Sequence, residues 1–533
     1  MAGNTVDDFS LIDEIERFNE ITNIKFQEIN EKQDEGCKLQ DDFSHPLDKE
    51  VIDLLKIIKP PENESISYKQ EKNLDKLWTI LIDKAVKNLR IFDTREPFLT
   101  NSNKAPIAYG LNTLAKYHEK YTDFEGLLYG GSPYYRDHVF HAIRTWMLGI
   151  FCLLSTDICE DDIPLINRIS IDGEKAENVP FSMNFFEKIS MWTITALCHD
   201  LGYPLEKSQQ ILDKTNNMMS EFIPNSCTWN NYAFTGVQDS INDYIIKFIS
   251  TKMKFREVEV GENKERAEEG FKEDDKSIFY GRVQPKYYLK YSKSLERFNH
   301  GIISSVIVYK MLLYFIEADF NLNDDYRFNK EEARQFYIRR EILRAMASHT
   351  CFDIYNMKVT TLSSLLFICD ELQEWGRKSW QDLYVGGMPD KVKLTINEFS
   401  ENQIKTVENI DLNSISSNTI AQYITRIIKK QYEIYKLVFR DGQYTNARNF
   451  DLEKIIHITL PKSGSKNRSI DISYGIMSKS NDYFKIHLED IGLKPSSSQY
   501  KEIFKAIENT CKEGALYEKE IIILPEDDEN RER

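Results

Sequence analysis

The chain has 533 residues, 41% of them hydrophobic and 29% charged, a balance that allows a large core and excludes global disorder. Its 69 Lys and Arg against 85 Asp and Glu leave a net charge of −16, which excludes the basic footprint of a general nucleic-acid binder while leaving local phosphate chemistry open. The eight cysteines form no CxxC pair, the apolar runs Trp146–Leu154 and Ile302–Ile316 fall short of the ~20 residues of a membrane span, and the acidic start MAGNTVDDFSLIDEIERF carries no secretory core. We therefore expect a cytoplasmic protein with reduced thiols and no membrane partner.

The length suggests three or four domains at roughly 100–200 residues each. Residues 1–125 read as a helical extension: Ile12, Ile15, Phe18 and Ile21 recur at three-residue spacing, Val51, Leu54, Leu55 and Ile58 form an amphipathic set closed by Pro60-Pro61, and Leu74, Leu77, Leu81 and Ala85 mark a third helix. Residues 126–387 hold nearly continuous apolar helices over Phe140–Leu154, Phe186–Leu201, Ile302–Ile316, Ile338–Ser348 and Leu362–Trp375, and are expected to form a helical core. A charged insertion over about 205–295 interrupts this core, and its segment Lys252–Lys276 reads as a solvated surface loop, with a lid as the alternative. From about 388 apolar residues alternate, at Val392, Leu394 and Ile396, at Ile456, Ile458 and Leu460, at Ile470 and Ile472, and at Phe484, Ile486 and Leu488, with one more short run at Ile521–Leu524. Amphipathic helices around Ile420–Val438 and Tyr500–Ile507 lie between these strands. The fold class is thus mainly α, with a helical core, a helical N-terminal extension and a smaller α+β domain over 388–533 for regulation or assembly. Leu460–Ser469 lacks the spacing of a phosphate-binding P-loop and reads as a hairpin turn.

Of the nine histidines, five lie in the apolar helical blocks: His138, His141, His199, His300 and His349. Asp200 and Asp370 sit among apolar helical residues as well. Burying an ionised carboxylate costs several kcal/mol unless a cation compensates. Two such aspartates beside several histidines point to a divalent metal, which turns the desolvation penalty into coordination. Cys198, Cys351 and Cys369 flank these residues but point elsewhere on their helices, so they are assigned to packing.

The order is His141 in YRDHVFHAIRTWMLG, the doublet His199-Asp200 in ALCHDLGYP, and Asp370 in LLFICDELQEWGR. This H…HD…D series on apolar helices resembles the HD-domain superfamily of metal-dependent phosphohydrolases over about residues 130–380. The resemblance implies an all-helical HD core and a divalent ion (Mn, Mg, Fe, Co or Zn) held by His141, His199, Asp200 and Asp370. His138 competes with His141 for the first position, since three residues apart they share a helix face; otherwise it serves catalysis. His300 and His349 fall where two-metal members hold a second ion and where one-metal members contact phosphate or move protons, so all three histidines are candidate catalytic groups. Lys207, just after the doublet, and Arg377, two turns past Asp370 if that helix continues, are the candidate substrate-binding cations.

The doublet context HDLGYP is similar to that of the deoxynucleotide triphosphohydrolase branch and departs from the cyclic-dinucleotide branch. That likeness implies a nucleotide substrate, water activated by the metal attacking the α-phosphorus of a dNTP, and release of deoxynucleoside and tripolyphosphate. It also implies a homo-oligomer with a nucleotide effector. The alternatives are a cyclic nucleotide or cyclic dinucleotide phosphodiesterase, and a nucleotide-sensing protein without turnover.

Overall fold

The structure, a computed structural model, describes residues 4–32, 43–62, 64–93, 110–131, 136–154, 183–208, 211–212, 237–257, 266, 277–316, 322, 326–351, 354, 361–377, 392–399, 403–412, 423–432, 451–463, 466–477, 483–489, 501, 505 and 518–523. Most of these residues are helical. In chain order the helices are α1 (Asp8–Arg17), α2 (Asn19–Lys32), α3 (Lys49–Ile58), α4 (Glu71–Ile91), α5 (Leu111–Gly131), α6 (Val139–Leu154), α7 (Phe185–Cys198), α8 (Val237–Ser250), α9 (Pro285–Glu296), α10 (His300–Met311), α11 (Leu313–Ile316), α12 (Lys330–His349) and α13 (Leu362–Leu372). The strands are β1 (Asn4–Val6), β2 (Thr251–Glu257), β3 (Ser277–Val283), β4 (Val392–Phe399), β5 (Gln403–Asp411), β6 (Asp451–Ser463), β7 (Lys466–Ile476), β8 (Tyr483–Glu489) and β9 (Glu518–Ile523).

The helical layer is organised around α6 and α7. Every residue of α6 is buried, as its unbroken apolar run requires. Helix α7 starts on a reciprocal cap, in which Asn184 accepts the Glu187 amide and Glu187 accepts the Asn184 amide. The same device opens α12 with Asn329 and Glu332. Helix α7 packs on α4, α6 and α12, α10 packs on α12, and α13 packs on both α12 and α6. Trp192 Nε1 donates to the Trp146 carbonyl and Trp146 Nε1 to Thr193 Oγ1, at 3.0 Å each. These bonds fix α6 against α7 around two fully buried indoles.

A mixed sheet lies beside this layer in the order β1-β4-β5-β6-β7-β8-β9. Its pairs are antiparallel except β5/β6 and β8/β9. A parallel pair needs a crossover connection, and helix 423–432 lies in the one between β5 and β6. Strands β6 and β7 form the hairpin read from Leu460–Ser469, with Ser463 opposite Lys466. Of the expected helix around Ile420–Val438, residues 423–432 are described; the one around Tyr500–Ile507 lies outside the described residues apart from 501 and 505.

Two expectations need correction. Lys252–Lys276 is not simply a solvated loop: Thr251–Glu257 forms β2 and pairs in antiparallel register with β3, while 258–265 and 267–276 lie outside the described residues. The segment KMKFRE alternates charged and apolar residues, which is a strand period; Met253 is buried and Phe255 packs on Phe279, while the charged residues project outward. The second correction concerns β1. The N-terminal extension supplies an edge strand to the sheet, Asn4 facing Ile396 and Val6 facing Leu394.

Candidate metal centre

Five segments deliver six donor side chains to one place. Helix α6 supplies His141 in its first turn, the turn after α7 supplies His199 and Asp200, α10 begins with His300, α12 ends with His349, and α13 supplies Asp370. His141 Nε2 lies 2.7 Å from Asp370 Oδ1 and 4.0 Å from Asp200 Oδ2. His199 Nε2 is 3.3 Å from Asp200 Oδ2 and 3.7 Å from Asp370 Oδ1. His300 and His349 approach the other Asp200 oxygen, their Nε2 atoms 3.2 and 3.6 Å from Oδ1. Three overlapping groups have ligand atoms mutually within 4.8 Å: His141, His199 and Asp200; His199, His349 and Asp370; Asp200, His300 and His349.

Each of the four imidazoles is turned the same way. Nδ1 of His199 is 2.8 Å from the Ala196 carbonyl and Nδ1 of His349 is 2.6 Å from the Met346 carbonyl. Nδ1 of His300 faces Glu206 Oε2 at 2.7 Å, and Nδ1 of His141 faces Gln373 Oε1. These acceptors call for Nδ1–H, so the Nε2 lone pairs point inward, as a metal-ligating histidine requires. Nε2 of His199 and of His349 is buried and makes no hydrogen bond despite its proximity to Asp200. Two buried ring nitrogens without a hydrogen bond, each within 4 Å of a carboxylate oxygen, fit a divalent cation between them.

The carboxylates call for positive charge at the centre of the cluster, and the imidazoles answer it. Burial would raise Asp200 and Asp370, but the facing imidazoles hold both well below the usual carboxylate range. Burial would lower His199 and His300, yet Asp200 with Asp370 raises His199 to about 10 and Asp200 with Glu206 raises His300 to about 9. Burial dominates at His141 and His349 and lowers both. Glu206, pushed up by burial, is pulled down to about 2 chiefly by His300. Burial also pushes the thiols of Cys198 and Cys369 up, in keeping with packing roles.

His138 stands beside the cluster. Its ring stacks on Tyr203 at 3.7 Å between centroids, and burial lowers its pKa well below the ordinary value. The ambiguity at the first position thus resolves geometrically, with His141 facing the carboxylates. Tyr203 also meets the His300 ring edge-on, and Lys207 Nζ lies 4.8 Å over the Tyr203 ring and 3.3 Å from Glu206. Arg377 reaches the site by a different route from the one expected. Helix α13 stops at Leu372, and a turn through Gly376, at φ +71°, brings Arg377 Nη2 to the Asp137 carbonyl at 3.1 Å. From there its charge lowers the pKa of both His138 and His141.

Glu206, Gln373 and Tyr203 were not legible as site residues. Glu206 also accepts the His300 backbone amide at 2.9 Å, 94 residues away in sequence, and no local spacing announces that bond. From the C-terminal part, Lys430 of helix 423–432 reaches Glu371 at 3.0 Å and Glu374 at 2.8 Å, next to Asp370. Among the described residues, no candidate metal group contains a residue beyond 387. His457 instead pairs with Asp471 across β6 and β7. None of the described helices is long and apolar enough to cross a membrane. Comparison with protein-family models, with curated proteins and with solved structures gives no match.

Proposed function

We propose that this chain is a metal-dependent phosphohydrolase of HD type acting on a nucleotide, with a deoxynucleoside triphosphate as the expected substrate. The observation that carries the reading is the convergence of four outward-tethered imidazoles on buried Asp200 and half-buried Asp370, in the order H…HD…D. His141, His199, Asp200 and Asp370 would hold one divalent ion, and His300 and His349 with the second oxygen of Asp200 would hold another. Such an ion, when bound, supplies a nucleophile from water near neutral pH and polarises a phosphoryl oxygen.

The protein's own groups do the rest. Glu206 and Gln373 fix the ring orientation of His300 and His141. His138, kept neutral by burial and stacked on Tyr203, stands beside the cluster as the candidate proton-transfer group. Arg377 and Lys207 provide positive charge beside the cluster for the phosphates that the buried donors do not reach. The region 388–533 touches the centre through Lys430 and is assigned regulation or assembly.

A second reading, hydrolysis of a cyclic nucleotide or cyclic dinucleotide, draws support from one feature. The two oxygens of Asp200 face different imidazole pairs, and a two-cation clamp serves in-line displacement at a phosphodiester. The test is a chromatographic screen of dNTPs, NTPs and cyclic nucleotides with Mn²⁺, Mg²⁺, Co²⁺ and Fe²⁺. Deoxynucleoside plus intact tripolyphosphate, lost in Asp200→Ala, is the expected result. Linear products from cyclic substrates with dNTPs untouched would install the second reading. Metal uptake without any turnover would reduce the chain to a nucleotide-sensing module.

A further inference from the structure

Asp8, at the start of α1, is fully buried. Its carboxylate accepts Arg144 Nε at 2.9 Å and Nη2 at 3.0 Å, Trp375 Nε1 at 2.9 Å and the Ile66 amide at 2.8 Å. A buried Asp–Arg pair adds little stability over apolar residues of the same volume. Its partners suggest another reason for it to be there. The Trp375 carbonyl accepts Gln373 Nε2 at 2.7 Å, and Gln373 Oε1 takes the His141 Nδ1–H. His141 then presents Nε2 to Asp370 at 2.7 Å. A second arm runs through Arg144, whose Nη1 lies 3.9 Å from Asp137 Oδ1, the acceptor of the His141 backbone amide at 3.0 Å. The guanidinium lies against Gly376, where a Cβ would fall 2.7 Å from Arg144 Cζ, so the turn carrying Trp375 closes directly on the pair.

We propose that Asp8 is a positioning residue of the metal centre: through Trp375 and Gln373 it fixes the tautomer and aim of His141, and through β1 it ties that aim to the C-terminal sheet. The proposal rests on the metal-centre reading above. The coupling to the sheet follows from sequence adjacency. Strand β1 ends at Val6, opposite Leu394 of β4, and Asp7 caps α1 by accepting the Ser10 amide at 2.8 Å. One residue, Asp7, therefore separates a backbone ladder to the sheet from a hydrogen-bond chain to the candidate ligand His141.

The test is Mn²⁺ affinity of the full chain, measured by chelator competition, beside thermal melting. Trp375→Phe removes the indole N–H and keeps an aromatic ring; Asp8→Asn removes the charge and keeps the shape. Each is expected to weaken Mn²⁺ binding about tenfold, the lower end for outer partners of a ligating histidine. The double variant should bind no more weakly than Asp8→Asn alone, because the Trp375 arm is one of the two that start at Asp8. A Trp375→Phe chain that melts lower but binds Mn²⁺ as the parent does would overturn the proposal. It also decides the matter should Asp8→Asn fail to fold. A parent chain that binds no Mn²⁺ would overturn the metal-centre reading itself.

Discussion

Gly202 follows the His-Asp doublet, and the structure gives it a measurable task. A Cβ there would sit 2.3 Å from the His300 carbonyl oxygen, 2.8 Å from Ile303 Cβ and 2.9 Å from the Ser304 amide. Two of these neighbours are backbone atoms at the start of α10, so no side chain can swing aside. Non-bonded carbons settle at about 3.5 Å or more, so Gly202→Ala must drive the start of α10 back by about 1 Å. The Gly202 amide also donates to Ser304 Oγ at 2.8 Å, and that hydroxyl donates to the His199 carbonyl at 2.6 Å; both bonds stretch with the retreat. His300 Nε2 begins 3.2 Å from Asp200 Oδ1, and a retreat of that size moves it off the aim it holds now. Overpacking of this kind costs about 1–3 kcal/mol, and a 1 Å misplacement at a catalytic site can cost about a hundredfold in rate. Gly202→Ala should therefore melt lower, lose turnover about a hundredfold and forfeit the Mn²⁺ equivalent that depends on His300, while the His141 side keeps its own. Turnover, Mn²⁺ stoichiometry and a melting curve on one preparation check this. A variant that binds both equivalents with parental affinity and turns over normally would refute the close-approach argument.

Other outcomes follow from the same geometry. Neutralising Arg377 or Lys207 to Ala should raise KM more than it lowers kcat in steady-state kinetics, because these groups would bind outlying phosphates rather than the reacting one. His45 gives a pH-dependent stability. Burial holds its pKa at about 4, and its Nδ1 accepts the Leu47 amide at 3.2 Å, which requires the neutral ring. The unfolded chain takes up that proton near pH 6.5 and the folded one only near 4, so the contribution is whole above pH 6.5 and shrinks by up to about 3 kcal/mol as pH falls to 4. His45→Asn, which keeps an acceptor without titrating, should flatten denaturant midpoints across that window; an unchanged slope would refute the assignment.

The mainly helical class, the apolar helices α6, α7, α12 and α13, and the six side chains that come together were legible along the chain, because His and Asp placed within apolar helical runs are a local signal. The sequence also carried four of the C-terminal strands as alternation and a fifth as a short apolar run. Strand β5 escaped because its inward positions include Thr406 and Glu408, which break the apolar alternation. Only the fold shows that buried Lys454 on β6 meets Glu408 at 2.9 Å and makes that position tolerable. Arg377 was placed near the site by assuming a continued helix, whereas a turn at Gly376 delivers it. Glu206, Gln373 and Asp8 act on histidines 94, 232 and, through intermediaries, 133 residues away. Hydrogen bonds of that span leave no periodicity in the chain, since each is decided only when separate helices dock and their remaining donors and acceptors must find partners.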